Sequence, residues 1–408
     1  MRPTPRAAAR RLLLGLAAFA LGCSADTDGK RDADASVDGS GSIDSAVAPD
    51  APDAAAADAN DAHDAKPEDA FVEAFPDVDA RDAIAIDPWD PLPTFEESRI
   101  VSGPYAGGYL VAPAGYLNWY FANLGLVAFV DRVPAEVKAY LALYIAHLRP
   151  DFSIEDVSFS NPYDPGAGTS ATRAQDSDDS YAATFLSLAA RYVHVTKDRA
   201  WLDANRATLE AIADRNLIAS QESNGLVHVF QSLAKYPFAY TEDNCEAWHG
   251  LHDLAQLLTE IGDPAASRYQ GAADAIAIGI SKTMFLPADR AFAVIYGTTV
   301  APLGSTFYPD AVTQVFPRAH GLPVTAAEDD GAWAFLSKRA PSWWNGSYDK
   351  APFMILGYAA ALRGDATAAL AQQAHLRDLV KTDRGSAAIH ELGYYQRIND
   401  FHRTGISY

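Results

Sequence analysis

Residues 175–186 read QDSDDSYAATFL. Asp176, Asp178 and Asp179 stand directly before an apolar run that continues to Val193. A helix N-terminus has unpaired N–H groups and a positive dipole end, so Asp or Ser there caps it, at about 0.5–2 kcal/mol. Taken alone, the stretch needs no other account: Ser177 or Asp176 would cap this helix, and Thr241 the next.

The same arrangement recurs along the chain. A polar or aromatic cluster opens an apolar helix at Asn118–Tyr120, Asp178, Asp243, Asp310, Asp349 and Glu391. The spacing is loose, which describes a structural repeat rather than a sequence repeat. Between these segments lie amphipathic helices at about 134–148, 198–217, 264–284, 325–338 and 365–381, with charged residues along one face. Apolar helices buried all round, alternating with helices that keep a wet face, predict two concentric rings. The fold class expected is all-α, an (α/α)6 toroid of six helical hairpins. Five outer helices leave one position to be filled from 95–110 or 398–408. A short strand pair is expected near 290–297.

In such a ring the inner helices run the same way, and their N-termini converge. Asp176, Asp178, Asp179, Glu242, Asp243, Asp310, Asp349 and Glu391 would then face one cavity. Helices need at most one cap each, and they do not need Trp119, Tyr120, Tyr181, Trp248, Tyr308, Trp343, Trp344 and Tyr348 nearby. Carboxylates that bind hydroxyls, beside aromatic faces that stack on C–H surfaces, make a sugar site. The residues expected to bind substrate are Asp176, Tyr181, Trp119, Tyr120, Asn244, Glu246, Trp248, Tyr308, Asp310, Trp344 and Asp349. Crowded carboxylates also push one another's pKa apart, which supplies the acid and the base that glycoside hydrolysis needs. The expected pair is Asp178 or Asp179 on one side and Glu242 or Asp243 on the other, with Asp310 as a third candidate.

Asp176 to Leu186, Arg191-Tyr192, Thr196-Lys197-Asp198, Trp201-Leu202, Glu242 to Ala247, Gly250-Leu251, Phe307 to Asp310, Gln314, Phe316-Pro317 and Gly321 together resemble the six-hairpin glycosidase superfamily. The resemblance covers roughly residues 100–395. Gln175 and Asp178 stand where the related segment has Tyr and Thr. The resemblance implies a toroid acting on an oligo- or polysaccharide without a cofactor. It also implies inverting hydrolysis, with carboxylates about 6.5–9.5 Å apart. The superfamily also holds phosphorylases and lyase- and epimerase-like relatives, so fold does not settle activity.

Two other readings stand beside it. His249 and His252, at i and i+3, could abstract a proton in a polysaccharide lyase or sugar epimerase. A non-catalytic glycan-binding lipoprotein would keep the cavity and lack a working acid–base pair. No metal site is expected, since no open-site spacing such as H-E-x-x-H occurs. There is no phosphate loop, dinucleotide fingerprint or G-x-S-x-G elbow.

The N-terminal quarter is different material. Arg2, Arg6, Arg10 and Arg11 precede an apolar stretch too short to span a bilayer. Ala20-Leu21-Gly22-Cys23 resembles the bacterial lipobox, which implies a signal peptide over 1–22 and a lipid on Cys23 that anchors the protein to a membrane. Ser24 after Cys23 points to the outer membrane of a bacterial cell envelope. Residues 23–91 read as a disordered acidic tether: residues 24–90 hold 19 acidic and 4 basic side chains and few large apolar ones. The folded domain is expected over 92–408, as a monomer. Its acidic charge argues against nucleic acid as a partner. Cys245, within an apolar helix, reads as a core residue.

Overall fold

The computed structural model describes residues 86–232, 238–304 and 307–408. The expected signal segment, Cys23 and the tether up to residue 85 lie outside the described residues.

Among the described residues, eleven helices alternate in two environments. The inner set comprises α2 (Trp119–Leu126), α4 (Asp179–Thr196), α6 (Thr241–Glu260), α8 (Phe316–Ala319, extended backwards by a 3-10 turn at Val312–Val315), α10 (Met354–Leu362) and α12 (Ile389–Thr404). The outer set comprises α3 (Pro134–Ala146), α5 (Arg199–Asn216), α7 (Ala266–Gly279), α9 (Ala326–Arg339) and α11 (Ala366–Thr382). Composition decides which is which. Thirteen of the eighteen residues of α4 are buried, against six of eighteen in α5. Each inner helix packs on the next, α2 on α4, α4 on α6, α6 on α8, α8 on α10, α10 on α12, and α12 closes back on α2. This is the six-membered inner ring of an all-α toroid.

Two glycines set how tightly the ring closes. A Cβ on Gly250 of α6 would stand 2.5 Å from the Ala183 carbonyl oxygen of α4. A Cβ on Gly393 of α12 would stand 2.7 Å from Gly125 Cα of α2. Both helix pairs meet backbone to backbone, as only glycine allows.

The twelfth position is taken by α1 (Leu92–Glu96), five residues long and packed against α12. It starts slightly before the 95–110 stretch expected to supply it. Its Phe95 is buried against Phe129 and Tyr109 at 4.8 and 5.0 Å between ring centroids. Just upstream, Trp89 stands edge-on to Tyr395 at 4.9 Å, and Asp87 and Asp90 pair with Arg377 and Arg132 at 2.5 and 2.7 Å.

Strands β3 (Phe285–Leu286) and β4 (Ala291–Phe292) pair antiparallel beside the stretch where a strand pair was expected. A second antiparallel hairpin, β1 (Asp156–Phe159) with β2 (Ser170–Arg173), was not expected. It is tied to the approach to α2 by a Leu117–Val157 bridge, and it carries Asp156 toward the start of the inner helices.

Helix starts differ between the rings. In the outer ring Asp198 caps α5 by accepting from Trp201 N at 3.0 Å, and Asp365 caps α11 by accepting from Ala368 N at 3.0 Å. Thr325 and Glu328 form a capping box on α9. In the inner ring α4, α6, α10 and α12 have no cap from their own N-cap side chain; Asn118 caps α2.

Candidate active site

The inner N-termini converge, as chains of contacts around the ring show. Tyr120 of α2 donates to Glu246 Oε1 of α6 at 2.6 Å. Thr313 and Tyr308, at the start of the α8 segment, donate to Glu242 Oε1 and Oε2 at 2.7 and 3.3 Å. Tyr308 stacks on Phe353 before α10 at 5.2 Å, and Phe121 of α2 stacks on His390 of α12 at 4.1 Å. Glu391 of α12 accepts from Phe353 N and Met354 N at 3.2 and 2.6 Å, so it caps α10 from a neighbouring helix.

Inside this rim sit five carboxyls. Asp176 is exposed, Glu242 and Asp243 are half-buried, and Asp179 and Glu246 are buried. All five titrate above the ordinary carboxyl range. Burial raises Asp243 to about 7, the Asp176 charge adds to it, and the adjacent Ser180 hydroxyl opposes it. Burial raises Glu242 to about 8, against the hydrogen bonds of Thr313 and Tyr308 and with help from Asp243. Asp179 and Glu246 are pushed well up, by burial first and by Asp243 next. Asp176 is raised by the protein packed round it, although it opens to solvent. Asp179 accepts from Ser180 N at 2.8 Å through one oxygen, while its other oxygen and Glu246 Oε2 have no partner.

Asp156 is a sixth carboxyl that the sequence reading missed. It is fully buried behind Asp176, where it accepts from Asn118 Nδ2, Tyr181 OH and Trp119 N at 2.9, 3.0 and 3.3 Å. Burial and then Asp176 raise it to about 7. Its position comes from the β1–β2 hairpin, and the Ile-Glu-Asp-Val-Ser-Phe alternation at 154–159 was the one available signal. Arg173, at the other side of that hairpin, lies over the Tyr116 ring at 4.2 Å.

Other expected site residues are placed elsewhere. Asp178 accepts from Gln175 Nε2 at 2.7 Å and from Gln231 N at 3.2 Å, so it holds a loop rather than the cavity. Asp310 is fully buried and accepts from Leu303 N, Gly304 N and Arg339 at 2.8, 3.1 and 3.2 Å. Asp349 closes a turn on Ala351 N at 3.0 Å. Asn244 clamps Val227 through both its backbone groups at 2.7 and 3.0 Å. Trp119 is fully buried, donating to the Glu155 carbonyl at 2.8 Å; it is core. Trp344 is half-buried, edge-on to Trp343 at 5.5 Å in the loop before α10. Trp248 stacks on His252 at 4.9 Å. His252 faces α7, its two ring nitrogens against Gln270 and Gln256 at 3.1 and 2.7 Å. Tyr120, Tyr181 and Tyr308 do stand at the carboxyl cluster. Cys245 is fully buried, as a core residue should be. Thr241 donates to the Ala293 carbonyl and caps nothing.

Behind the cluster the ring axis is filled. Glu246, His249, His320, Arg397 and Tyr408 line a cavity of about 20 Å3 with Asn123 and Thr184. Tyr408 closes it, its ring under Arg191 at 4.0 Å and its hydroxyl donating to Asp400. Among the described residues no group of His, Cys, Asp and Glu could hold a metal ion, and no helix is long and apolar enough to cross a membrane.

No protein-family model and no curated protein matches the sequence. Solved structures do match the fold. A glycosidase solved as a glutamate-to-alanine variant superposes with a TM-score of 0.55 at 12% identity, covering 77% of this chain and 95% of its own. A rhamnosidase from Klebsiella oxytoca with rhamnose bound matches with a TM-score of 0.52 at 12% identity, over 79% of this chain and 65% of its own. An unsaturated glucuronyl hydrolase from Bacillus sp. GL1, responsible for glycosaminoglycan degradation, matches with a TM-score of 0.51 at 14% identity, over 78% of this chain and 96% of its own. The chain shares the fold of these structures.

Proposed function

We propose that this protein hydrolyses glycosidic bonds of an oligo- or polysaccharide, with inversion, using Asp243 as general acid and Asp176 as general base. One observation carries the reading: Asp243 and Asp176 stand at the converging helix starts beside Tyr120, Tyr181 and Tyr308, close enough for the charge of one to raise the other. Asp243, at about 7, holds its proton in neutral solution often enough to deliver it to the glycosidic oxygen. Asp176, open to solvent, takes a proton from the water that attacks the anomeric carbon. The C–O bond breaks, the leaving sugar departs as an alcohol, and the new hydroxyl lies on the opposite face. Glu242, steered by Tyr308 and Thr313, would bind a sugar hydroxyl, and the Tyr120 and Tyr308 rings would stack on sugar C–H faces. The glycosidase, the rhamnosidase and the glucuronyl hydrolase that share the fold support the class of reaction.

The placement of the two histidines lends less support to a lyase or epimerase. His252 lies between α6 and α7, and His249 lies behind Glu246, paired with Asp253 at 3.1 Å. The rest of the reading is that a signal peptide, a lipid on Cys23 and the acidic tether hold a monomeric domain at the bacterial outer membrane.

The test is a glycan-array screen of the chain, with reducing-end release and anomer analysis on any hit. Release with inversion supports the proposal. Binding without release would make the protein a glycan-binding lipoprotein, and an ultraviolet-absorbing product would make it a lyase.

A further inference from the structure

Glu242, Glu246, His249 and Asp253 are spaced 4, 3 and 4 residues apart on α6. At about 100° per residue they fall within about 60° of one another, so they form one titratable stripe along the inner face of the helix. The stripe runs from the cavity mouth at Glu242 past buried Glu246 to half-buried Asp253. Along its middle Glu246 Oε2, His249 Nδ1 and His320 Nε2 are buried and have no hydrogen-bond partner. Buried polar groups are almost always satisfied, so three together call for an explanation.

The surroundings supply it. The Ser180 hydroxyl stands beside the carboxyls of both Asp243 and Glu246. Glu246, His249 and His320 line the same cavity of about 20 Å3, which has room for about one or two waters. His249 Nε2 is held by Asp253 at 3.1 Å, which aims the other ring nitrogen away from that partner. We infer that this row is a proton path: solvent, Asp253, His249, cavity water, Glu246, the Ser180 hydroxyl, and then Asp243. The inference rests on Asp243 being the general acid of the proposed hydrolysis.

Each step balances. When Asp243 gives its proton to the leaving oxygen, the Ser180 hydroxyl passes one to Asp243 and takes one from Glu246. Glu246 is reloaded from His249 through water, and His249 is reloaded from solvent at Asp253. The acid is thus restored from behind while product still covers the mouth.

The groups facing Glu246 are Glu242 and Asp243 on its own helix, Asp179 and Ser180 from α4, and Tyr120 from α2. Tyr394 and Arg397 of α12, His320 after α8, Tyr408 and the buried Cys245 thiol complete the set. His249 faces Asp253 and His320, whose ring stands edge-on at 5.5 Å. Burial holds His320 well below the ordinary histidine range, so it is neutral and serves as a wall of the path.

The experiment compares the full chain with His249→Phe and Asp253→Asn. The path predicts that kcat falls about tenfold in His249→Phe with KM little changed. The half-exposed Asp253→Asn variant should show a smaller fall of the same kind if His249→Phe does not fold. Unchanged kcat and pH profile in both variants would overturn the path. A second readout needs no turnover: the infrared band of the protonated Glu246 carboxyl, identified by its loss in Glu246→Gln, should titrate at a different pH in His249→Phe. A band that titrates as in the wild type would also overturn the path. Absence of hydrolysis on every glycan would instead sink the proposed reaction, leaving the infrared titration to decide the path.

Discussion

Outer and inner helices of this ring begin with the same kinds of residue and put them to different use. Asp198, Thr325 and Asp365 cap α5, α9 and α11, and Asp198 also pairs with Lys138 and accepts from Tyr192 at 2.7 and 2.8 Å. Asp179, Glu242 and Asp243 open α4 and α6 without capping them. An acid that caps has its charge absorbed by N–H groups and the helix dipole. One that does not cap, and is crowded by others, stays protonated longer and is available for proton transfer. The lesson concerns environment: outer acids face water and one helix end, whereas inner acids face each other across a ring axis.

The contrast would break first at Asp243. Asp243→Asn should lower kcat on the cognate glycan by about 10²–10⁴ while binding changes little, measured by reducing-end release and calorimetry. Asp198→Asn in the outer ring should leave kcat alone. Equal activity in both variants would abolish the distinction.

The second consequence is in stability. Glu242 and Asp243 titrate at about 8 and about 7 in the folded chain, above their ordinary carboxyl values. In that window the folded state binds more protons than the unfolded one, so stability falls as pH rises from about 4 to about 8. Glu242→Gln or Asp243→Asn should therefore gain on the order of 2–4 kcal/mol at pH 8 and little at pH 4, read as Tm against pH. The same scan on Asp198→Asn should show no such gain at high pH.

Packing sharpens the comparison next. Gly250→Ala forces a methyl against the backbone of α4, and should cost about 1–3 kcal/mol in urea unfolding. At Gly271 of outer α7 nothing stands near an added Cβ, so Gly271→Ala should stabilise by a few tenths to about 1 kcal/mol. An effect of similar size is expected of Asp365→Ala, which removes a cap and should cost about 1 kcal/mol with turnover intact.

The ring itself was legible because burial writes itself into composition. The expected outer helices at 134–148, 198–217, 325–338 and 365–381 match α3, α5, α9 and α11 to within a few residues. Apolar inner segments stood out for the same reason. The site was legible in kind and less so in detail. Periodicity located Glu242, Asp243, Tyr120 and Tyr308 at converging helix ends, but it cannot tell a carboxylate that turns inward from one that ties a loop. Asp178 and Asp310 turned to backbone N–H groups that come from 231 and from 303–304, far from any local pattern. Asp156 reaches the cluster on a hairpin, and hairpin pairing is a long-range property that a helical reading does not see. Trp119 and Trp248 are core because a closed ring must fill its interior with large side chains.

Tyr408 lies across the axial cavity behind the carboxyl cluster, its ring under Arg191 and its hydroxyl donating to Asp400. Under the proposed hydrolysis, a sugar chain would find that end of the ring filled, and product would leave by the route on which the next substrate arrives.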